Sequence, residues 1–376
     1  MATRELRTQA PSSQEDAASL VAQCGRDGLT LRVRGGGTKL GWGTAAADPE
    51  VQLSTTSLDT VVEHNEGDLT AILEAGVPLA RAQERFAAAG QMLALDPPLG
   101  EGEAATIGGV VASGDSGPLR HRYGAPRDLV LGIKVALSDG TVAKSGSKVI
   151  KNVAGYDLAK LFSGSFGTLG LILQVAVRLH PRPSDTVTAV GRSDDPDAIA
   201  RAASELAHAS LEKECADVRW ERGQGAVLAR LSGATAHAQA EAAVRALRLD
   251  ATEIVVDDGA LWQRQRDGQR SADRAVVRVS GLPSELARTI RAVEALGGSL
   301  VGRASLGISW MTVAPEAIPE LRDALRPFAC VVLDAPREVR TSLDVWDAEP
   351  SALARRVKQR FDPAGVFAPG TFAGGI

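Results

Sequence analysis

Two rhythms of apolar residues alternate along the front half of the chain. Residues 29–34 (LTLRVR) repeat with period two and predict a strand running into a glycine-rich loop. Further short strands are predicted at 51–53, 59–64 and 69–75, and a helix at 14–26. Residues 78–90 predict another helix. Pro78 suits its first turn, Leu79, Ala82, Phe86 and Ala89 share one face, and Gly90 marks its end. The apolar, glycine-rich run 106–113 predicts a short helix. Residues 129–137 and 141–143 flank Asp139-Gly140, a hairpin signal. A long strand at 171–179 ends in His180-Pro181-Arg182-Pro183, whose prolines favour a stiff extended segment and a domain boundary.

The texture changes after that boundary. Strands at 186–191, 226–231 and 252–257 interleave with helices at 195–210, 234–248 and 260–270. A similar order follows: strands 275–280, 299–303, 306–313 and 329–333, with helices 283–297 and 315–327. This predicts two α/β units with a mostly antiparallel sheet, related as a degenerate structural repeat, although no sequence repeat is visible. A last helix, 349–361, leads into FDPAGVFAPG. The expected fold class is α+β. Residues 1–183 form a first domain, 184–345 a small α/β cap, and 346–376 a helix and tail returning to the first domain.

Composition narrows the function classes. The 376 residues are 44% hydrophobic and 23% charged, ordinary for a globular chain and unlike a disordered or low-complexity one. A net charge of −4 does not suggest a nucleic-acid binder. No window approaches the apolar length of a membrane span, and MATRELRTQAPSSQED has no apolar signal core. A cytoplasmic protein is expected, with no direct membrane insertion and peripheral association through a partner left open. Cys24, Cys215 and Cys330 are too scattered for a metal or iron–sulfur site built by this chain. Locally the picture differs: residues 118–160 carry eight Lys/Arg against three Asp, beside two glycine-rich runs, which suggests an anion site.

Three segments carry candidate chemistry. In Arg34-Gly35-Gly36-Gly37-Thr38-Lys39-Leu40, successive glycines let backbone N–H groups converge on one point, a nest suited to a diphosphate. The dinucleotide fingerprint fails because Leu40 stands at its third glycine, and no P-loop Gly-Lys-Ser/Thr follows. Thr106-Ile107-Gly108-Gly109-Val110-Val111-Ala112-Ser113 places a glycine pair at the start of an apolar helix, allowing close backbone approach. The third run is Lys151-Asn152-Val153-Ala154-Gly155-Tyr156-Asp157-Leu158, followed by Ser163-Gly164-Ser165-Phe166-Gly167-Thr168-Leu169-Gly170 before the long strand. It nearly mimics a nucleophile elbow, but Ser163 breaks the pattern and no His/Asp partner set is evident. Singly, each segment also fits an ordinary turn or a tightly packed helix.

In this order and at these distances, RGGGTKLG, TIGGVVASGDSG, RYGAPRDLVLGIKVALSDGTV and KNVAGYDLAKLFSGSFGTLGLI resemble the FAD-binding domain of the vanillyl-alcohol-oxidase type, also called the PCMH type. The resemblance spans about residues 14–183. It implies two small α+β subdomains with FAD between them. Arg34, Gly35, Gly36, Gly37, Thr38, Lys39 and Leu40 would hold the diphosphate. Thr106, Ile107, Gly108, Gly109, Ala112 and Ser113 would cover it from the other side, with Pro98 nearby. Gly155, Gly164, Ser165, Gly167, Thr168, Leu169 and Ile172 would lie along the ribityl chain and flavin ring. The tail VKQRFDPAGVFAPGTF, with KNVAGYDL and the shortened cap, resembles the FAD-binding subunit of glycolate oxidase (glycolate dehydrogenase).

Departures from the family pattern sharpen the expectation. Thr38 stands where some relatives carry a flavin-linking His, so FAD is expected to be non-covalent. Phe166 replaces the Glu of Gly-Ser-Glu-Gly-Thr. The cap holds only His208 and His237, each in an Ala-rich helical stretch, and His64, His121 and His180 suggest no base. Lys148, Lys151 and Arg122 are candidate cations near the flavin. The resemblance implies an FAD-carrying subunit beside a larger catalytic FAD subunit and an iron–sulfur subunit, without a substrate site of its own. The alternative is a stand-alone FAD-linked 2-hydroxy-acid dehydrogenase whose ionisable group would come from Tyr156, Arg219, Trp310 or Arg340. A scaffold that has lost flavin is the third possibility, against which the intact glycine set argues.

Overall fold

The computed structural model of the chain describes residues 6–148, 157–349 and 351–376. The front half builds two sheets. Arg7–Gln9 and Leu31–Arg34 both pair in parallel with Val51–Ser54. The second sheet is antiparallel, in the order Val61–Asn65, Thr70–Glu74, Leu171–Arg178, Val130–Ala136, Val142–Gly146. The hairpin signal at Asp139-Gly140 is realised with a longer loop: Ala136 pairs with Val142, and the second strand runs on to Gly146.

Each front sheet has its own core. Gln14–Asp27, capped by Ser13, places Ala17, Val21 and Cys24 against Leu31, Leu53, Leu171 and Leu173. Leu79–Ala88 buries Leu79, Ala82 and Phe86, the face read from the sequence, in a second cluster with Val110, Val135 and Val175. His180–Pro181 is not a free spacer, because it pairs with Gln91–Met92. The tail crosses back to the first sheet. Leu31 bridges Phe367 in parallel, and Val366 and Phe367 lie in that sheet's core. Buried Asp362 fixes this turn by accepting from Val366 N and Phe367 N, both at 2.9 Å. Lys358 Nζ reaches Asp362 at 2.7 Å and Thr168 O at 2.8 Å.

The back half is one eight-stranded antiparallel sheet. Its spatial order is Ala251–Val255, Thr186–Ser193, Gln224–Ser232, Lys213–Glu221, Ser299–Arg303, Ile308–Val313, Ala275–Ser280, Cys330–Asp334. The two halves share one chain order, strand–helix–strand–strand–helix–strand–helix, and meet edge to edge at Lys213–Glu221 and Ser299–Arg303. The repeat inferred from element order is therefore present in the topology.

The two faces of this sheet differ. Helices Pro196–His208, Ala236–Leu247, Leu286–Ala295 and Ile318–Leu325 bury an apolar face built from Ala216, Val218, Val277, Met311 and Val332. The opposite face carries Asp217, Arg219, Arg278, Arg303 and Trp310 at the alternating positions, and it packs on the front domain. Arg303 and Asp217 are fully buried there, 3.0 Å apart. Arg303 Nε donates to Gly117 O at 3.1 Å, and Gln269 Nε2 donates to Ser116 O at 3.0 Å. Tyr123 Oη donates to Glu214 Oε1 at 3.3 Å, and burial, reinforced by the Glu214 carboxylate, pushes the phenol up to about 12. Among the described residues, no helix is long and apolar enough to cross a membrane.

Candidate functional site

Strand Leu31–Arg34 delivers the chain into Gly35-Gly36-Gly37, and helix Ile107–Ser113 stands opposite, its cap Thr106 accepting from Gly109 N at 3.3 Å. The two segments touch. A Cβ on Gly35 would lie 2.1 Å from Thr106 Oγ1, and one on Gly36 would lie 1.6 Å from Ala104 O. The glycines are thus fixed by close approach of two backbones. The helix is set as tightly on the sheet below, where a Cβ on Gly108 would meet Ala75 Cβ at 2.7 Å.

Between these walls runs a cleft. Gly35, Gly36, Gly37, Thr38, Lys39 and Leu40 line one side, and Thr106, Gly108, Gly109, Ala112 and Ser113 the other. Gly167 and Ile172 reach it from the segment entering the long strand. The remaining candidate residues lie elsewhere. Pro98 lines a second cleft behind the glycine loop, where its carbonyl accepts from Lys39 Nζ at 3.3 Å. Ile107 and Leu169 point into the apolar core, and Arg34 is exposed. Gly164 N donates to Val111 O at 2.9 Å and so holds the helix, while Thr168 Oγ1 donates to Ser165 O at 2.7 Å within its own turn. Gly155, Lys151 and Tyr156 fall outside the described residues.

Several lining residues were not singled out from the sequence as cofactor contacts. Trp42 and Phe166 face the cleft, as do the 44–49 loop, Arg337, Arg340 and tail residues Ala368, Pro369 and Thr371. The FDPAGVFAPGTF pattern was the available signal for the tail. Phe166 sits at a positive φ of 56° and packs edge-on against Trp346 at 4.9 Å between ring centres, with Phe372 at 5.9 Å and Trp42 at 6.4 Å. Phe166 therefore presents an aromatic wall to the cleft.

The cap grips the glycine loop. Arg270 donates to Thr38 O at 3.0 Å and to Asp334 at 2.6 Å, while Trp42 Nε1 donates to Asp334 Oδ1 at 2.8 Å. Arg270 and Lys39 both lie over the Trp42 ring, at 5.4 and 5.7 Å. Lys39 is buried and paired with buried Asp115 at 3.2 Å. Arg270→Ala should therefore weaken FAD binding roughly tenfold, by freeing Thr38 and Asp334 together. Fluorescence titration of apoprotein with FAD checks this, and unchanged affinity would show that the clamp does not hold the loop.

The five histidines are placed away from the cleft. His64 bonds Gln91 at 3.0 Å, His121 bonds Ser305 at 3.0 Å, and His180 packs on Tyr123. His208 and His237 are exposed on cap helices, as the Ala-rich pattern suggested. Lys148 is exposed and pairs with Glu63 at 2.6 Å, and exposed Arg122 lies over Tyr123. Among the base candidates, Arg340 lines the cleft and donates to Gly43 O at 3.3 Å, whereas Arg219 and Trp310 lie on the cap sheet. The described residues hold no group of three His, Cys, Asp or Glu suited to a metal. Cys24, Cys215 and Cys330 are free thiols in three separate cores, and burial pushes Cys330 up to about 11.

A glycine-rich loop closing on a short helix in a two-sheet domain, under a cap, defines a nucleotide-cofactor site, and comparison with known proteins agrees. Residues 7–146 match the family model described as an FAD binding domain, so the chain carries an FAD-binding domain. Glycolate oxidase subunit GlcD of Bacillus subtilis is 31% identical over 54% of this chain and 43% of its own length. Glycolate oxidase subunit GlcE of Escherichia coli is 41% identical over 33% of this chain and 35% of its length. The chain thus spans less than half the length of these curated relatives. An uncharacterized FAD-linked oxidoreductase of Mycobacterium tuberculosis aligns over 97% of this chain and 90% of its own length, at 25% identity. In fold, the chain is similar to alkyldihydroxyacetonephosphate synthase, with a TM-score of 0.68 over 96% of this chain and 75% of that one at 15% identity.

Proposed function

We propose that this chain is an FAD-carrying subunit of a multi-subunit glycolate dehydrogenase, which oxidises glycolate to glyoxylate and passes electrons through an iron–sulfur subunit to quinone. The observation that carries this is the cleft between the Gly35–Leu40 loop and the Thr106–Ser113 segment. Similarity to two glycolate oxidase subunits, and to a D-lactate dehydrogenase of Archaeoglobus fulgidus at 34% identity, supports 2-hydroxy-acid oxidation as the chemistry.

FAD, when bound, supplies exchange between a two-electron donor and one-electron carriers. The residues of the cleft fit it. Gly35–Lys39 would hold the diphosphate by backbone N–H groups, and Thr106, Gly108, Gly109, Ala112 and Ser113 would close over it. Phe166, Gly167 and Ile172, which line the cleft, would set the ribityl and ring end, and Gly155 belongs to the same expectation. Thr38 offers no ring nitrogen for a covalent flavin bond, so the cofactor is held non-covalently. Phe166, Trp42 and Trp346 would keep water from this end of the site. The histidines point elsewhere, so the residues that take the substrate proton belong to a larger catalytic FAD subunit. The iron–sulfur centre belongs to a third chain, since the cysteines here are dispersed among three cores. The assembly would work in the cytoplasm, with any membrane contact made through partners.

Purified chain loaded with FAD should not turn over glycolate or D-lactate with an artificial electron acceptor. Affinity purification from the native source should recover a second flavoprotein and an iron–sulfur protein. Robust turnover by the isolated chain would sink this proposal and favour a stand-alone 2-hydroxy-acid dehydrogenase. The full-length alignment with a single FAD-linked oxidoreductase is the observation that keeps that alternative in play.

A further inference from the structure

The cleft between the glycine loop and the Thr106–Ser113 segment has a further wall, made by the cap. Helix Arg337–Ser342 brings Arg337 and Arg340 to it, and Arg32 and Lys39 of the front domain line the same cleft. Three of these four cations are already answered. Lys39 pairs with Asp115 at 3.2 Å, and Arg32 and Arg337 share Asp48, at 4.0 and 3.5 Å. Arg337 also donates to Ala46 O at 3.3 Å, so it ties the 44–49 loop to the cap.

Arg340 is different. Its Nε donates to Ala335 O at 3.2 Å and its Nη1 to Gly43 O at 3.3 Å. These two carbonyls fix the guanidinium beside the end of the glycine loop, where Nη2 stands 4.0 Å from the place a Cβ on Gly41 would take. Among the described residues, Nη2 has no hydrogen-bond partner and the guanidinium has no ion pair. Burial and the charge of Arg337 hold Arg340 below the usual guanidinium pKa, and Asp334 and Glu338 pull the other way. Asp334, however, is engaged by Arg270 and Trp42, and Glu338 is exposed. Half-buried Arg340 thus leaves the cleft with an excess of positive charge, which an arginine does not shed by losing its proton.

We propose that Arg340 is the cap's contribution to cofactor binding, a cation that pairs with the diphosphate of FAD. The inference rests on the cofactor reading given above. Oxidised FAD carries its charge on the diphosphate alone, so that group is the part of the cofactor that answers a free cation. A guanidinium fork matches two phosphate oxygens, and a sheltered cleft strengthens such a bond relative to an exposed surface. The backbone N–H groups of the glycine loop donate to a phosphate without neutralising it, whereas Arg340 does both. The cofactor would then bridge the front domain and the cap.

The test is titration of apoprotein with FAD, followed by flavin fluorescence, with competition by ADP and by adenosine. Arg340→Gln should bind FAD and ADP about tenfold or more weakly, with adenosine unchanged. Arg340→Lys keeps the charge but cannot span Ala335 O and Gly43 O, and it should recover much of the loss. Arg337→Gln, whose charge answers Asp48, should lose less than Arg340→Gln. Circular dichroism and the thermal midpoint of each apoprotein check folding. Wild-type affinity for FAD in Arg340→Gln overturns the proposal. Equal losses in the Gln and Lys variants overturn it too, because the geometry of the loop and not the charge would then be at stake. A loss for FAD without one for ADP also overturns it, since the guanidinium would then serve the flavin ring. Wild-type apoprotein that binds no FAD overturns the cofactor reading itself, so the two failures are told apart.

Discussion

Gly36→Ala should leave a folded protein that no longer retains FAD. The added methyl would sit 1.6 Å from Ala104 O and 2.5 Å from Ala104 C, both backbone atoms, so no side-chain rotation can relieve it. One wall of the cleft must move away from the other, and Ala104 leads directly to Thr106 and the helix it caps. Overpacking of this kind costs about 1–3 kcal/mol in ordinary cores, and here the strain falls on the cofactor's walls. FAD affinity should drop by up to roughly a hundredfold, since each 1.4 kcal/mol is tenfold. The flavin-to-protein absorbance ratio after gel filtration gives the result, with circular dichroism as the check on folding. Full flavin content in the variant would mean that the two walls do not enclose the cofactor.

The second large effect concerns the attachment of the cap. Arg303 and Asp217 each have 0% side-chain exposure, and Arg303 spends its donors on Asp217, Gln269 and Gly117 O. Arg303→Met leaves Asp217 charged and buried, its carboxyl already pushed up by desolvation and held down chiefly by Arg303. Removing one partner of such a pair costs about 3–5 kcal/mol. Chemical denaturation should show a loss of that size, and the double variant Arg303→Met/Asp217→Leu should recover much of it. A loss below about 1 kcal/mol would show that the pair does not carry the interface.

The same face explains which elements the sequence concealed. Strand Lys213–Glu221 was missed, although its neighbours were read. Ala216, Val218 and Trp220 face the helices, but Asp217 and Arg219 occupy the alternating positions and Glu214 sits at a bulge, so the pattern resembles an exposed loop. A polar interface between two parts of one chain has no hydrophobic signature. The cap's grip on the glycine loop was equally hidden, because Arg270 lies 232 residues from Thr38 and Asp334 lies 292 residues from Trp42. The loop and helix themselves were legible, because close backbone approach demands glycine and leaves a mark in the sequence. Gly164, Ser165, Thr168 and Leu169 share that glycine-rich texture, yet they do not line the cleft. Composition there reports tight packing and does not say what is packed.

The most direct measurement is the flavin content of the purified wild-type chain before and after denaturation. The account predicts equimolar FAD in the folded protein, all of it released into the supernatant when the chain is unfolded. A protein that stays colourless after incubation with FAD, or a flavin that remains with the polypeptide, would contradict it.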